Sequence, residues 1–214
     1  MNKNSAHKEI AVLGIDTGKN SFHLHGVDAK GKLVSRKHLN REKMLEFMVN
    51  LKPCLVGIEA CGGSHGLARQ LKALGHDVRI MAPQFVKPYV KSNKNDKLDA
   101  EAICEAVQRP NMRFVPMKSI EQQDLQSLHR IRSLAVAQRT EIINQIRGLL
   151  MEYSITMPEG PEHVRSLLPE ILENTENKLT KQFLGYLRRL MDNLKYFDHS
   201  NVQDQGGGDA LQEV

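Results

Sequence analysis

The feature that most constrains this fold is a change of hydrophobic period near residue 40. Before it, apolar residues come in short runs broken by turn chemistry. Glu9 to Asp16 reads as a strand, Thr17-Gly18-Lys19-Asn20 as a turn, and residues 21–28 alternate as a second strand. Ala29-Lys30-Gly31-Lys32 is a hairpin turn leading to a third strand over Leu33–Leu39. Turns this short make the three strands an antiparallel meander. From Asn40, a helix N-cap, the period becomes helical: Met44, Leu45, Phe47, Met48 and Leu51 mark one face, and Pro53 ends it. Cys54–Ile58 is a continuous apolar run, as in a strand buried on both faces. A helix capped by Ser64 and ended by Gly75 follows, then a strand over His76–Met81 stopped by Pro83, then a helix over residues 98–107. The order β-β-β-α-β-α-β-α predicts an α/β fold, a mixed sheet with helices on its faces.

Four carboxylates fall at telling places on that frame. Asp16 and Glu59 end apolar strands, on the edge where α/β sheets usually bind ligands. Asp96 and Asp99 begin the last helix, and the spacing Asp96, Asp99, Ile103, Ala106 or Val107 follows one face. The far end of that face is apolar, so it turns toward the sheet and carries the two aspartates with it. Carboxylates seldom face a core unless paired or metal-bound. Each acid also has a plainer reading: Asp16 ordering a turn, Glu59 as a polar strand end, Asp96 as an N-cap and Asp99 serving the helix dipole. Asp-Thr-Gly at residues 16–18 is shared with aspartic proteases, which need a second such aspartate, and Gly14–Gly18 with the phosphate loop of actin-like ATPases, for which a second loop is missing. As an ordered set, D…E…D-x-x-D, the acids point to hard divalent cations, a magnesium pair foremost, working on a phosphodiester.

Charge supports an anionic partner. The 214 residues carry a net charge of +5. Lys87, Lys91, Lys94 and Lys97 lead into the aspartate pair, and Arg130, Arg132, Arg139 and Arg147 lie along a later helix. Three cysteines without metal spacing fit a reducing compartment, with Cys61 close behind Glu59. No stretch is apolar enough for a membrane span, and the N-terminus lacks a signal-peptide core, which predicts a cytoplasmic protein. Residues 119–153 read as one long amphipathic helix, with Leu125, Leu128, Ile131, Leu134, Ile142, Ile146 and Leu149 as its stripe. A second helix over about 178–196 pairs with it as a hairpin or coiled coil, or with another chain. Residues 153–169 read as the connector, and Ser200–Val214 as a frayed tail. The expected divisions are a catalytic domain over 1–118, a helical dimerisation region over 119–199 and a disordered tail over 200–214.

The phrases Gly14-Ile15-Asp16, Val56–Gly63, Leu71–Val78, Pro83, Lys94–Ala100 and Arg139–Leu150 together resemble the DEDD-type insertion-sequence transposases, relatives of the Piv DNA invertases. The N-terminal domain of that family is similar to the RuvC Holliday-junction resolvase. The resemblance runs over about residues 10–155. It implies a ribonuclease-H-like fold in which Asp16, Glu59, Asp96 and Asp99 bind Mg²⁺ or Mn²⁺ and carry out DNA cleavage and strand transfer. It also implies action at the prokaryotic nucleoid, DNA and a structured guide RNA as partners, and a dimer or tetramer. Lys91, Lys94 and Lys97, then Arg139 and Arg147, are the expected backbone contacts. Recognition delegated to RNA needs few base-reading motifs, and with 5% aromatic residues the chain has few stacking groups. The family's second domain, with its serine nucleophile, has no counterpart here; Ser64, Ser133, Ser166 and Ser200 are present, but no motif singles one out. A truncated binding module, or a stand-alone RuvC-like nuclease, is the alternative.

Overall fold

A computed structural model describes the backbone of residues 9–90 and 96–208, and the side chains of 9–90 and 98–198. The chain divides between Ser119 and Ile120 into two compact units.

The first unit is built on one sheet. Among the described residues its strands are β1 (Val12–Thr17), β2 (Ser21–Val27), β3 (Leu33–Asn40), β4 (Leu55–Glu59), β5 (Asp77–Met81) and β6 (Phe114–Val115), in the spatial order β3-β2-β1-β4-β5-β6. The meander β1–β2–β3 is antiparallel, β4 and β5 lie parallel to β1, and β6 is antiparallel to β5. This is the mixed sheet with an antiparallel meander expected from the sequence. The two-residue β6 is additional; so short a strand leaves almost no periodic signal.

Alternation sorts the sheet into two faces. Leu13, Ile15, Phe22, Leu24, Val56, Ile58 and Ile80 pack on one face with Met44, Met48, Leu67 and Leu71 from α1 (Arg41–Val49) and α2 (Ser64–Ala73). Asn40 caps α1 as expected, its side chain accepting from the Lys43 amide at 2.9 Å. Ser64 does not cap α2. Gly63, at φ 89°, takes the cap position, and the Ser64 hydroxyl turns back to donate to the Cys61 carbonyl at 2.9 Å. His76 is buried and ties two elements to this layer: its Nδ1 accepts from the Cys54 amide at 3.3 Å and its Nε2 lies 3.2 Å from the Met48 carbonyl. After the short helix α3 (Pro83–Val86) and a 3-10 turn at Lys87–Tyr89, α4 (Asp96–Ala106) covers the opposite face, where Val12, Val27, Met81, Ile103 and Val107 form a second core.

The second unit holds α5 (Ile120–Met151), α6 (Pro161–Glu173) and α7 (Lys181–Gly208). Its core joins Ile143, Ile146 and Leu150 to Val164, Leu168, Leu172, Phe183, Leu187 and Leu194. The expected two-helix hairpin is thus a three-helix unit. The segment 153–169, read as connector because of its prolines, holds the first part of α6 (Pro161–Glu173): Pro161 sits at the start, where its missing N–H costs nothing, and Val164, Leu168 and Leu172 repeat at helical spacing. The helix α7 also reaches Gly208, into the segment read as a tail, and residues 209–214 lie outside the described residues. The apolar stripe of α5 is covered mainly in its C-terminal half; Ile131 and Leu134 are each 60% exposed. Among the described residues no helix is long and apolar enough to cross a membrane.

Candidate active site at the carboxyl edge of the sheet

Register decides which side chains meet. Strands β1 and β4 are parallel and paired Gly14 to Gly57 and Ile15 to Ile58. Asp16 and Glu59 are therefore the next positions on neighbouring strands, side by side and on one face. Both are partly buried. Since β2 flanks β1 on one side and β4 on the other, this is where strand order switches, the usual place for a ligand in an open α/β sheet.

Alternation puts Gly14 and Gly57 on the same face as the two acids, and that is where α4 packs. A Cβ on Gly14 would lie 2.2 Å from the Ala100 carbonyl oxygen and 2.5 Å from the Cys104 nitrogen. One on Gly57 would lie 2.9 Å from Val107 Cβ and 3.2 Å from Ile103 Cγ2. Two glycines abreast let the helix backbone approach the sheet as a side chain would not. One helical turn advances about 5.4 Å, close to the roughly 6.6 Å of two strand residues. Going back one turn from Ile103, over Gly57, thus brings Asp99 toward the level of Glu59. Going back one turn from Ala100, over Gly14, brings the helix start at Asp96 toward Asp16. The helix begins at the carboxylate row, where the positive end of its dipole favours anions.

Histidines extend the row. Asp16 pairs in register with His23 of β2, and His23 with His38 of β3. His23 Nδ1 is 3.9 Å from Asp16 Oδ2. The His23 and His38 rings stack, with centroids 4.2 Å apart and planes within 1°. Two residues further along β2, His25 is buried beneath α4, 3.9 Å from Glu101 Oε2, which Arg36 also bonds at 3.1 Å. Beyond Glu59, Cys61 Sγ lies 2.8 Å from Thr17 Oγ1, joining the ends of β4 and β1. Cys104, against the sheet, is a different thiol: burial pushes its pKa up to about 12.

Lys91 and Lys94 lie outside the described residues, as do the side chains of Asp96 and Lys97. In the second unit Arg139 is 3.8 Å from Asp198, which Arg165 grips with two bonds of 2.7 Å; Arg147 donates to the Met157 carbonyl at 3.4 Å. These two arginines are engaged in holding the helices, whereas Arg130 and Arg132 are exposed on α5. Carboxylate oxygens on adjacent strands suit a hard divalent cation, so the donor chemistry fits one. Among the described residues no three metal-binding side chains converge as a set. His23 and His38 were not singled out in the sequence. The signal was there in Ser21-Phe22-His23-Leu24-His25, whose apolar residues take one face and whose histidines take the face of Asp16.

A family model described as the IS110 DEDD transposase matches residues 13–155. The chain belongs to the IS110 family of DEDD transposases. It is 47% identical over 187 residues to a probable family 20 transposase of Pseudomonas aeruginosa, covering 87% of this chain and 55% of that protein. It is 41% identical over 189 residues to the transposase of IS1328 from Yersinia enterocolitica, with the same two coverages. The transposase of IS1111A from Coxiella burnetii is 41% identical over 207 residues, 97% of this chain and 55% of that one. The chain thus spans about half the length of these relatives. Among solved structures, T. thermophilus RuvC in complex with a Holliday junction substrate is a distant likeness, at TM-score 0.37 and 15% identity over 50% of this chain and 100% of that one. The IS110 match covers every element that contributes to the carboxylate row.

Proposed function

We propose that this chain supplies the metal-dependent catalytic domain of an insertion-sequence transposase. In this reading Asp16, Glu59, Asp96 and Asp99 hold one or two Mg²⁺ or Mn²⁺ ions. The chemistry such ions supply when bound is activation of an attacking oxygen and stabilisation of the leaving one during DNA strand cleavage and transfer. The chain's own part is positional. Strands β1 and β4 fix two carboxylates, and α4 brings its first turn over them. The observation that carries this reading is the registered pairing of two strand ends on one face, with two glycines admitting the helix above them.

Lys91, Lys94 and Lys97 precede or begin α4 and are proposed to hold the phosphate backbone beside the acids; Arg139 and Arg147 are proposed as backbone contacts of the helical unit in addition to the contacts they make within it. A structured guide RNA would choose the sequence. The exposed stripe at the start of α5 would join copies into a dimer or tetramer. Residues 1–118 would form the catalytic domain and the helices from 119 onward the helical region, which α7 carries past residue 199 to Gly208.

The test is the Asp99→Asn variant in two assays, binding and Mg²⁺- or Mn²⁺-dependent nicking of DNA. The expected result is unchanged, salt-sensitive binding with nicking lost. Nicking that persists undiminished in Asp99→Asn overturns the assignment. A wild-type chain that binds without nicking favours the second reading, a binding module. The chain's 55% coverage of its relatives is the observation that supports this alternative.

A further inference from the structure

We propose that the stacked pair His23 and His38 is a platform for an unpaired base of the DNA strand led to the carboxylate row, with the outer face of His38 as the contact. The inference rests on the DNA reading above and adds a base contact beside the acids. The two rings stand on neighbouring strands, paired in register, with planes within 1° and centroids 4.2 Å apart. That separation is close to the strand spacing itself, so the ring faces look along the row from strand to strand. One face of His23 looks toward Asp16 on β1, and one face of His38 looks off the sheet edge.

The outer face is open and the ring behind it is held. Among the described residues no strand lies beyond β3, and His38 is exposed. The side chains two places either side of it on β3 share its face but are drawn elsewhere. Arg36 turns to Glu101 at 3.1 Å, and Asn40 turns to the Lys43 amide at 2.9 Å. His23, with its side chain 14% exposed, backs His38 from within the sheet. A flat ring already fixed in place loses little freedom when a second flat group stacks on it.

Two features choose a nucleobase as that group. Strands β1 and β3 both run antiparallel to β2, so their carboxyl ends share the edge that carries the acids. Exposed cations sit at that edge, Lys19 in the turn after β1 and Arg41 directly after β3, suited to the phosphates that flank a stacked base. The distance also fits. His38 is two strands from Asp16, roughly 10 Å, so the base it stacks belongs to a near neighbour of a phosphate at the acids. Histidine is among the side chains on which splayed-out bases stack, and only a base that has left its pair shows its face. Such stacking is tolerant of sequence, because every base has a π-face.

The chain has no tryptophan, so the fluorescence of 2-aminopurine placed in a short single-stranded oligothymidylate reads stacking without interference. The experiment titrates this probe with the full chain, with His38→Ala and with His38→Tyr, and repeats the titrations with duplex DNA. Thermal unfolding checks that each variant is folded. The expected result is quenching by the wild type, lost in His38→Ala together with about fivefold or more in single-strand affinity, and both kept in His38→Tyr. Duplex affinity should be the same for all three. Single-strand affinity and quenching unchanged in His38→Ala overturn the platform and leave the carboxylate reading standing, since nicking by Asp99→Asn tests that separately. Equal losses for single strand and duplex overturn it too, by showing a structural role. An oligouridylate bound more tightly than the DNA probe, with the same dependence on His38, overturns the assignment to the DNA strand. If the wild type binds neither single-stranded nor duplex DNA, this inference and the DNA reading fall together.

Discussion

Replacing Gly14 by alanine should force α4 away from the sheet. The new Cβ would sit 2.2 Å from a carbonyl oxygen and 2.5 Å from an amide nitrogen, where ordinary contact begins at 3.4 Å. Both atoms are backbone, so no rotamer change relieves the clash, and the helix must lift by roughly 1 Å at a well-packed interface. Overpacking of this kind costs about 1–3 kcal/mol. Against it stands a gain of roughly 0.4–1 kcal/mol from a stiffer unfolded chain. The net expectation is a loss of about 1 kcal/mol, read as a fall of roughly 4–8 °C in the melting of the first unit. Gly57→Ala meets Val107 Cβ at 2.9 Å, which moves only with its backbone, and Val107 Cγ1 and Ile103 Cγ2 at 3.1 and 3.2 Å; the overlap is smaller than at Gly14, so it should cost less, about 1 kcal/mol before the same gain is counted. Gly62→Ala meets nothing within 4 Å and should be neutral or slightly stabilising. Thermal unfolding, with hydrogen exchange at β1 and α4 amides, reads all three. A Gly14→Ala variant that melts with the wild type, or the order Gly62, Gly57, Gly14 from worst to best, would refute the close approach of α4.

Other consequences can be checked more simply. One thiol, Cys61, should react quickly with a thiol reagent in the native protein and all three after unfolding, because burial raises Cys54 to about 11 and Cys104 to about 12. His65 has its pKa lowered by desolvation, then by Lys118 and Arg69, and its neutral Nδ1 accepts from the Lys118 amide at 3.2 Å. A histidine that protonates less readily when folded stabilises above its unfolded value of about 6.5 and loses that contribution as pH falls through the folded one. The protection of the Lys118 amide, taken relative to its intrinsic exchange rate at each pH, should therefore fall under acid conditions and be retained at neutral pH. In the second unit, Asp198→Asn should weaken the fork from Arg165; both groups are partly exposed, so the loss in unfolding free energy should be about 1 kcal/mol or less.

The face that carries the carboxylates was legible because several signals agreed there. Short turns predicted the meander, apolar runs ending in Asp16 and Glu59 predicted two strand ends, and the helical spacing in α4 predicted Ile103 with Ala106 or Val107 against the sheet, where all three are buried. What was hidden depended on partners far away in sequence. His23 reads as an alternating polar residue until register sets it beside Asp16 and His38. Gly14 and Gly57 read as ordinary strand glycines until a helix some fifty to ninety residues later, with Cys104 and Val107, lies over them. The helix α6 was obscured by Pro161 and Pro169, which look like loop residues although one sits at a helix start and the other is tolerated inside. The arginines of the second unit looked alike in sequence, and only Asp198 distinguishes Arg139 from the exposed pair Arg130 and Arg132.

The central claim is that strand-borne and helix-borne carboxylates serve one ion. It is tested most directly by Mn²⁺ titration calorimetry on Asp16→Asn, Asp99→Asn and the double variant. The account predicts that each single change weakens binding at least about tenfold and that the double variant loses clearly less than the sum of the two, because both groups act on the same ion. Losses that simply add, or wild-type affinity retained in Asp99→Asn, would contradict it.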